Sequence, residues 1–336
     1  MDTMSPQLLH MNQLVNHTPS MRYDGSISFE AWQKAASVKL AELLGMEKFQ
    51  KVEPSVYIDG EQDTEEFHEI DFTFQSEALY RPLCNLFLPR GVKDPPVVIC
   101  LMGHGLSMQN LIGRNSFGST EEIRYSSRRA LHAIRRGYAA LILEQRGMGM
   151  RGGTANGPAC LQPAVTAMLL GRTLIGERVW DVMRAIDVLE QFFPQVDSSR
   201  IAVSGGSGGG TTSFYAACLE KRISIANPSC SVCSYSESIA PVRHCMCNYI
   251  PRIAEYFDMG DLGGLIAPRP LVIDNGISDQ IFRIKGSLET AEIIRSLYRA
   301  AGAEDKFVFI AGDGGHQFYY EQAWPEFDRL SGWKSN

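Results

Sequence analysis

The chain has 336 residues, 44% of them hydrophobic and 10% aromatic, with 32 basic against 38 acidic side chains for a formal charge of −6. That is too long for a disulfide-stapled mini-domain and too apolar for a disordered chain. An acidic balance without a basic run argues against nucleic acid or an anionic membrane as partner, because both need clustered Lys/Arg to displace counterions.

In chain order, Ser28 can cap a helix that carries Phe29, Trp32, Ala36, Leu40 and Leu43 on one stripe and ends at Gly45. Residues 1–60 are therefore expected to form an N-terminal helical extension, and 61–336 the main domain. The segments VEPSVYID, FHEIDFTF and LYRPLCNLFLP, separated by DGEQD and SEA, predict antiparallel strands or hairpins.

From Pro96 the pattern changes to short apolar runs without alternation: PVVICLMG, YAALILE, RIAVSGG, PLVIDNG and KFVFIAG. Strands buried on both faces need such runs, and helical stretches such as 177–193 and 286–302 between them supply the crossovers of a parallel sheet. The expected fold is α/β, a mostly parallel central sheet flanked by helices and entered through an antiparallel edge. Arg128, Arg129, Arg135 and Arg136 have the spacing of a solvated outer helix face. Residues 228–268 read as a Cys- and aromatic-rich insertion over the carboxyl edge of the sheet, where such folds bind ligands.

The strongest chemical signal is RIAVSGGSGGGTTSFYAA, a G-x-S-x-G that follows a buried strand and opens a helix. A nucleophile on a sharp strand-to-helix turn needs small neighbours, and the helix N-terminus faces the developing oxyanion. Ser207 is the candidate nucleophile. A base and an acid should follow on loops after late strands, in the order Ser, Asp, His. Asp279 and His316 meet that requirement. Asp274 and Asp313 compete for the acid role, the first at a strand end and the second in a GDGG turn, and Asp279 is preferred because its loop clears the strand. The other oxyanion donor is expected in LMGHGLS, after the first buried strand. The backbone N–H groups of Gly208 and Leu106 are the predicted hole, with His104 and Gly105 shaping the loop.

Two rival motifs fail on context. Gly147, Gly149 and Gly152 match G-x-G-x-x-G but no helix pattern follows, and Gly205–Gly210 lacks the Lys-Ser/Thr of a phosphate loop. Cys230, Cys233, Cys245 and Cys247, beside His244, tempt a zinc reading; the last pair is too close for the usual structural spacing, so free buried or pocket-lining thiols are the better reading. No metal or cofactor is required by these residues.

With these residues in place, the chain resembles the α/β-hydrolase superfamily, in its dienelactone hydrolase and acetyl xylan esterase-like branch. The likeness runs over about residues 78–330 and rests on LEQRGMG, GRTLIGERVWDVMRAIDVLE, VDSSRIAVSGGSGGG, YFDMGDLGGLIAPRPLVIDNG and the final GGHQF. The resemblance implies cofactor-free hydrolysis of carboxylic esters, often acetyl groups on sugars, so the partner expected is a small-molecule or oligosaccharide ester. Homo-oligomers are common in the family, though no residue here specifies a symmetry. One departure is GHGLS in place of the HGGG of lipases, which argues against a lipase-like acyl pocket. An amidase, a peptidase or an acyltransferase would use the same three residues, and a binding protein on the same scaffold is the reading from another class. Taking Met1 as the natural start, no export or membrane-spanning segment is evident, and a cytoplasmic location is expected.

Overall fold

The computed structural model describes residues 4–105, 107–115, 122–152 and 157–334. Nine strands form one sheet: β1 (Tyr57–Asp63), β2 (Phe67–Thr73), β3 (Leu83–Pro89), β4 (Pro96–Leu101), β5 (Ala139–Leu143), β6 (Asp197–Gly206), β7 (Ile223–Ser229), β8 (Leu271–Gly276) and β9 (Phe307–Gly312). Their order is β1-β2-β3-β5-β4-β6-β7-β8-β9. The β1/β2, β2/β3 and β3/β5 pairs are antiparallel and all later pairs parallel, which is the expected architecture.

Every residue of β4, β5 and β8 is buried. Helices cover both faces, as apolar runs without alternation require. One core gathers Trp32 and Leu40 of α2 (Phe29–Leu44), Val179 and Ile186 of α5 (Leu174–Phe192), Phe214 of α6 (Gly208–Leu219) and Ile294 of α9 (Ile284–Ala300). The opposite core joins Leu131 and Ile134 of α3 (Arg129–Ile134) to Trp324 and Phe327 of α10 (Tyr320–Ser331). The remaining helices are α1 (Pro6–Val15), α4 (Leu161–Leu169), α7 (Ile253–Tyr256) and α8 (Met259–Gly263).

The N-terminal helices belong to this body. Ser28 Oγ accepts from Ala31 N at the start of α2 and Gly45 closes it in the left-handed conformation. Gln33 then donates to the carbonyls of Gly264 and Ala267, and Arg22 pairs with Asp261 at 2.9 Å. The first strand begins at Tyr57, inside the segment expected to be helical extension, and runs through the DGEQD expected to turn. Its side chains are almost all exposed, so this edge strand has no apolar alternation to betray it; backbone pairing with β2, across a bulge at Ile58–Gly60, holds it.

The path from β4 leads to β5 on one side, whereas the path from β6 leads to β7 on the other. Loops leaving the carboxyl ends of these two neighbours diverge and open a crevice there. Ser207 and His104 lie on those two loops.

Candidate active site

Ser207 stands between β6 and α6 with φ 52° and ψ −121°, a conformation that L residues rarely adopt. Its N–H donates to Ser229 O at 2.9 Å and its carbonyl accepts from Thr211 N at 2.8 Å, which pins the turn on both sides. The glycines around it answer to crowding. A Cβ on Gly209 would strike the carbonyl of Leu101, and one on Gly205 would strike Gly209 itself. Helix α6 can therefore start against the ends of β4 and β6 only with hydrogen at these positions.

His316 and Asp279 meet on the loops after β9 and β8. His316 Nδ1 and Asp279 Oδ2 are 2.7 Å apart, while Asp279 Oδ1 accepts from the N–H groups of Ile281 (2.8 Å) and Phe282 (3.1 Å). The Asp279 side chain is fully buried and that of His316 is 30% exposed. Burial works against ionisation of Asp279, but the hydrogen bond and charge of His316 with the two amides outweigh it and hold the carboxyl below its usual range. The ring of Phe282 stacks on that of His316 at 6.0 Å.

The competing acids are occupied or exposed. Asp274 accepts from Ser229 Oγ (2.7 Å), Tyr319 N (3.1 Å) and Asn227 Nδ2 (3.1 Å). Burial pushes its pKa up, against the opposing charge of Arg129. Asp313 is exposed.

Ser207, His316 and His104 line one cavity of about 760 Å³, together with Asn110, Arg124, Arg129, Arg243, Gln317 and Phe318. From the 228–268 segment, Ser229, Cys230 and Val242 to Cys245 form part of its wall. Leu106 lies outside the described residues. The N–H of Gly208 opens the twelve-residue α6, where unpaired amides and the positive dipole end accumulate. Gly105 N donates to Gly103 O at 2.7 Å, a tight turn in the loop after β4. In that loop His104 Nε2 lies 3.2 Å from Cys247 Sγ, and its ring packs so near Gly208 that a Cβ there would overlap it.

Several residues at this edge escape a sequence reading. Arg129 corrects the expectation of a solvated basic face: it is 2% exposed, donates to Ser204 Oγ (2.7 Å) and Asn227 Oδ1 (2.9 Å), and lies 3.5 Å from the centre of the Phe318 ring. Gln145, also buried, bridges Met102 O beneath the His104 loop and Thr212 of α6. The cysteines also regroup. Cys230 donates to Gln317 O and Cys233 to Arg283 O, while Cys245 and Cys247 meet Cys160 and His104. The sequence grouping of four thiols around His244 is not assembled.

A strained serine at a strand-to-helix elbow, a histidine paired with a buried carboxylate and a mostly parallel sheet in this strand order make up an α/β-hydrolase fold. Residues 6–167 match the model of an Abhydrolase family, and residues 174–248 that of fungal glucuronyl esterase. The chain is 27% identical over 183 residues to YtaP of Bacillus subtilis (strain 168), designated a hydrolase; the match spans 54% of this chain and 60% of that protein. A crystal structure designated an acetyl xylan esterase, from Bacteroides fragilis NCTC 9343, superposes with a TM-score of 0.82 at 17% identity, covering 98% of this chain and 96% of that one. A glucuronoyl esterase from Solibacter usitatus gives 0.66 at 14% identity, with coverages of 94% and 97%. The chain therefore shares its fold with these esterase structures.

Proposed function

We propose that the protein is a serine carboxylic ester hydrolase that works through an acyl-enzyme, with a carbohydrate acetyl ester or another small ester as substrate. The observation that carries this reading is the convergence of Ser207 and the His316–Asp279 pair on one cavity. His316 Nε2 takes the Ser207 proton as the hydroxyl attacks the ester carbonyl, and Asp279 holds Nδ1 as the N–H that makes Nε2 the acceptor. The tetrahedral oxyanion rests on the N–H of Gly208 and, in this proposal, that of Leu106. The alcohol leaves with the proton from His316, and water repeats the sequence to free the acid.

The wall chemistry supports a hydroxylated substrate: Asn110, Gln317, Arg124 and Arg243 offer donors to sugar oxygens while Phe318 supplies an apolar face. The names of the similar structures point the same way. A second reading, in which the acyl part is a sugar uronoyl group, is supported by a cavity far larger than an acetyl group needs and by the match over residues 174–248. An intracellular setting is supported by eight unpaired cysteines, two with sulfurs only 3.3 Å apart, which an oxidising compartment would tend to join; cell fractionation tests it.

The function is tested by fluorophosphonate labelling of the purified chain with parallel hydrolysis of an aryl acetate, its anilide and a methyl glucuronoyl ester. Labelling that disappears in Ser207→Ala, with the acetate turned over faster than the other two, is expected. Labelling that persists in Ser207→Ala overturns the assignment, and preference for the anilide or the uronoyl ester replaces the acetyl reading.

A further inference from the structure

Behind the nucleophile turn, three loops bring soft ligands to one point. His104 comes from the loop after β4, Cys160 immediately precedes α4, and Cys245 and Cys247 come from the segment after β7. The four ligand atoms all lie within 4.8 Å of one another. His104 Nε2 is 3.2 Å from Cys247 Sγ, and Cys247 Sγ is 3.3 Å from Cys245 Sγ. A tetrahedral zinc with Zn–S bonds of about 2.3 Å holds its sulfurs about 3.8 Å apart, so these two contacts need open by only a few tenths of an ångström and no other sulfur pair need close by more than about 1 Å. The close Cys245-x-Cys247 spacing is no obstacle, because a short turn over Met246–Asn248 already brings both sulfurs together.

A second observation concerns charge. Arg178 of α5 is 1% exposed, donates to Arg146 O through Nε (2.9 Å) and Nη2 (2.7 Å), and sends Nη2 to Cys160 Sγ at 3.2 Å. Its Nη1 has no partner among the described residues, its Nη2 reaches the Cys160 thiol, and among the described residues it makes no ion pair with a carboxylate. A buried cation needs a buried anion. Zn²⁺ with three thiolates and one neutral imidazole carries −1, which balances Arg178. Three neutral thiols would leave it uncompensated.

We propose that His104, Cys160, Cys245 and Cys247 form a structural site for a soft divalent cation, zinc by ligand type and geometry. Binding forms three metal–sulfur bonds and one metal–nitrogen bond, and the three thiol protons pass to solvent. All four positions are taken by protein, so the ion has no open coordination place and acts as a staple. It ties the His104 loop and the cavity wall at Cys245 to the start of α6, against which the His104 ring packs. The site is independent of the hydrolytic reading, since none of its ligands is Ser207, Asp279 or His316.

The test is metal content by mass spectrometry on the purified reduced chain, with Co²⁺ titration of the chelated protein. About one zinc per chain is expected, and Co²⁺ should give thiolate charge-transfer and intense tetrahedral ligand-field absorption that saturates at one equivalent. Both should survive in Ser207→Ala and Cys233→Ser and fall at least tenfold in Cys245→Ser and Cys160→Ser. Proton release should appear as a buffer-dependent binding enthalpy. The wild-type titration does not depend on whether a variant folds. Absence of the tetrahedral spectrum at tenfold excess Co²⁺, its persistence in both ligand variants, or a Cys245–Cys247 disulfide in the metal-free isolated chain would overturn the proposal.

Discussion

The substitution Asp279→Asn isolates the orienting role of the buried carboxylate with almost no change of volume. Asp279 Oδ1 accepts from two backbone N–H groups, so an asparagine must keep its oxygen there; turning the amide round would set its NH₂ against both donors. Leaving each of these donors unsatisfied costs roughly 1–3 kcal/mol, so the turned state lies several kcal/mol higher. The NH₂ therefore faces His316 across the present 2.7 Å contact. Nδ1 becomes an acceptor, the proton moves to Nε2, and Nε2 can no longer take a proton from Ser207. In a serine protease with a Ser-His-Asp triad the same change lowers kcat about 10⁴-fold, or about 5 kcal/mol in activation free energy. Steady-state hydrolysis of an aryl acetate should show a loss of that order in kcat, with KM little altered and near-UV circular dichroism preserved. A kcat within tenfold of wild type would refute the assignment of Asp279, and the corresponding losses in Asp274→Asn or Asp313→Asn would then name the acid.

The same carboxyl predicts a pH effect on stability. Its folded pKa lies below the ordinary value of about 4 despite burial, because of the His316 hydrogen bond and charge and the amides of Ile281 and Phe282. Its contribution is thus present above the ordinary carboxylate range and lost as pH falls through the folded value, so the gap in urea stability between wild type and Asp279→Asn should close on acidification. Ser207→Gly should abolish turnover yet raise stability by about 1–3 kcal/mol, by releasing the positive-φ strain; an unchanged urea midpoint would contradict it. Gly209→Ala should cost about 1–3 kcal/mol and depress activity, because the added methyl meets the rigid carbonyl of Leu101. Arg129→Met removes the cation that opposes the burial of Asp274. It should cost about 3–5 kcal/mol at neutral pH, and less at low pH where Asp274 is protonated, as urea titrations at the two pH values would reveal.

Most of the sheet was legible because its middle strands are wholly buried and carry continuous apolar runs, and helix α2 because Ser28 and Gly45 bracket a clear stripe. Of the other strands, β1 lies a few residues later than expected and β7 escaped, for different reasons. In β1 the pairing is through the backbone of polar, exposed residues. In β7 the run ISIANPS carries Ser224, Asn227 and Pro228, so no continuous apolar signal survives, and its register with β8 is confined to Ala226↔Leu271 and Ser229↔Asp274. The polar atoms are there for a purpose that only the fold reveals: Asn227 and Ser229 satisfy Arg129 and Asp274 inside the sheet.

The site divides along the same physical line. Ser207, Asp279 and His316 could be singled out as candidates because a strand-end nucleophile imposes small neighbours and chain order, constraints written locally. Arg129, Gln145, Cys160 and Arg178 could not, because each contributes by closing a distance between elements far apart in sequence, and each residue type reads alone as something ordinary: a helix-surface arginine, a loop glutamine, a core thiol. What they share is burial of polarity at the edge where β4 and β6 diverge. That edge also carries the strained serine, and buried hydrogen bonding there holds it in one shape. Gln145 joins the two diverging loops through Met102 and Thr212, and the His104 ring packs on Gly208 from the other side. The rigidity of the predicted oxyanion donor at Gly208 is therefore a property of these buried contacts, and substitutions in them should lower kcat without touching a reacting atom.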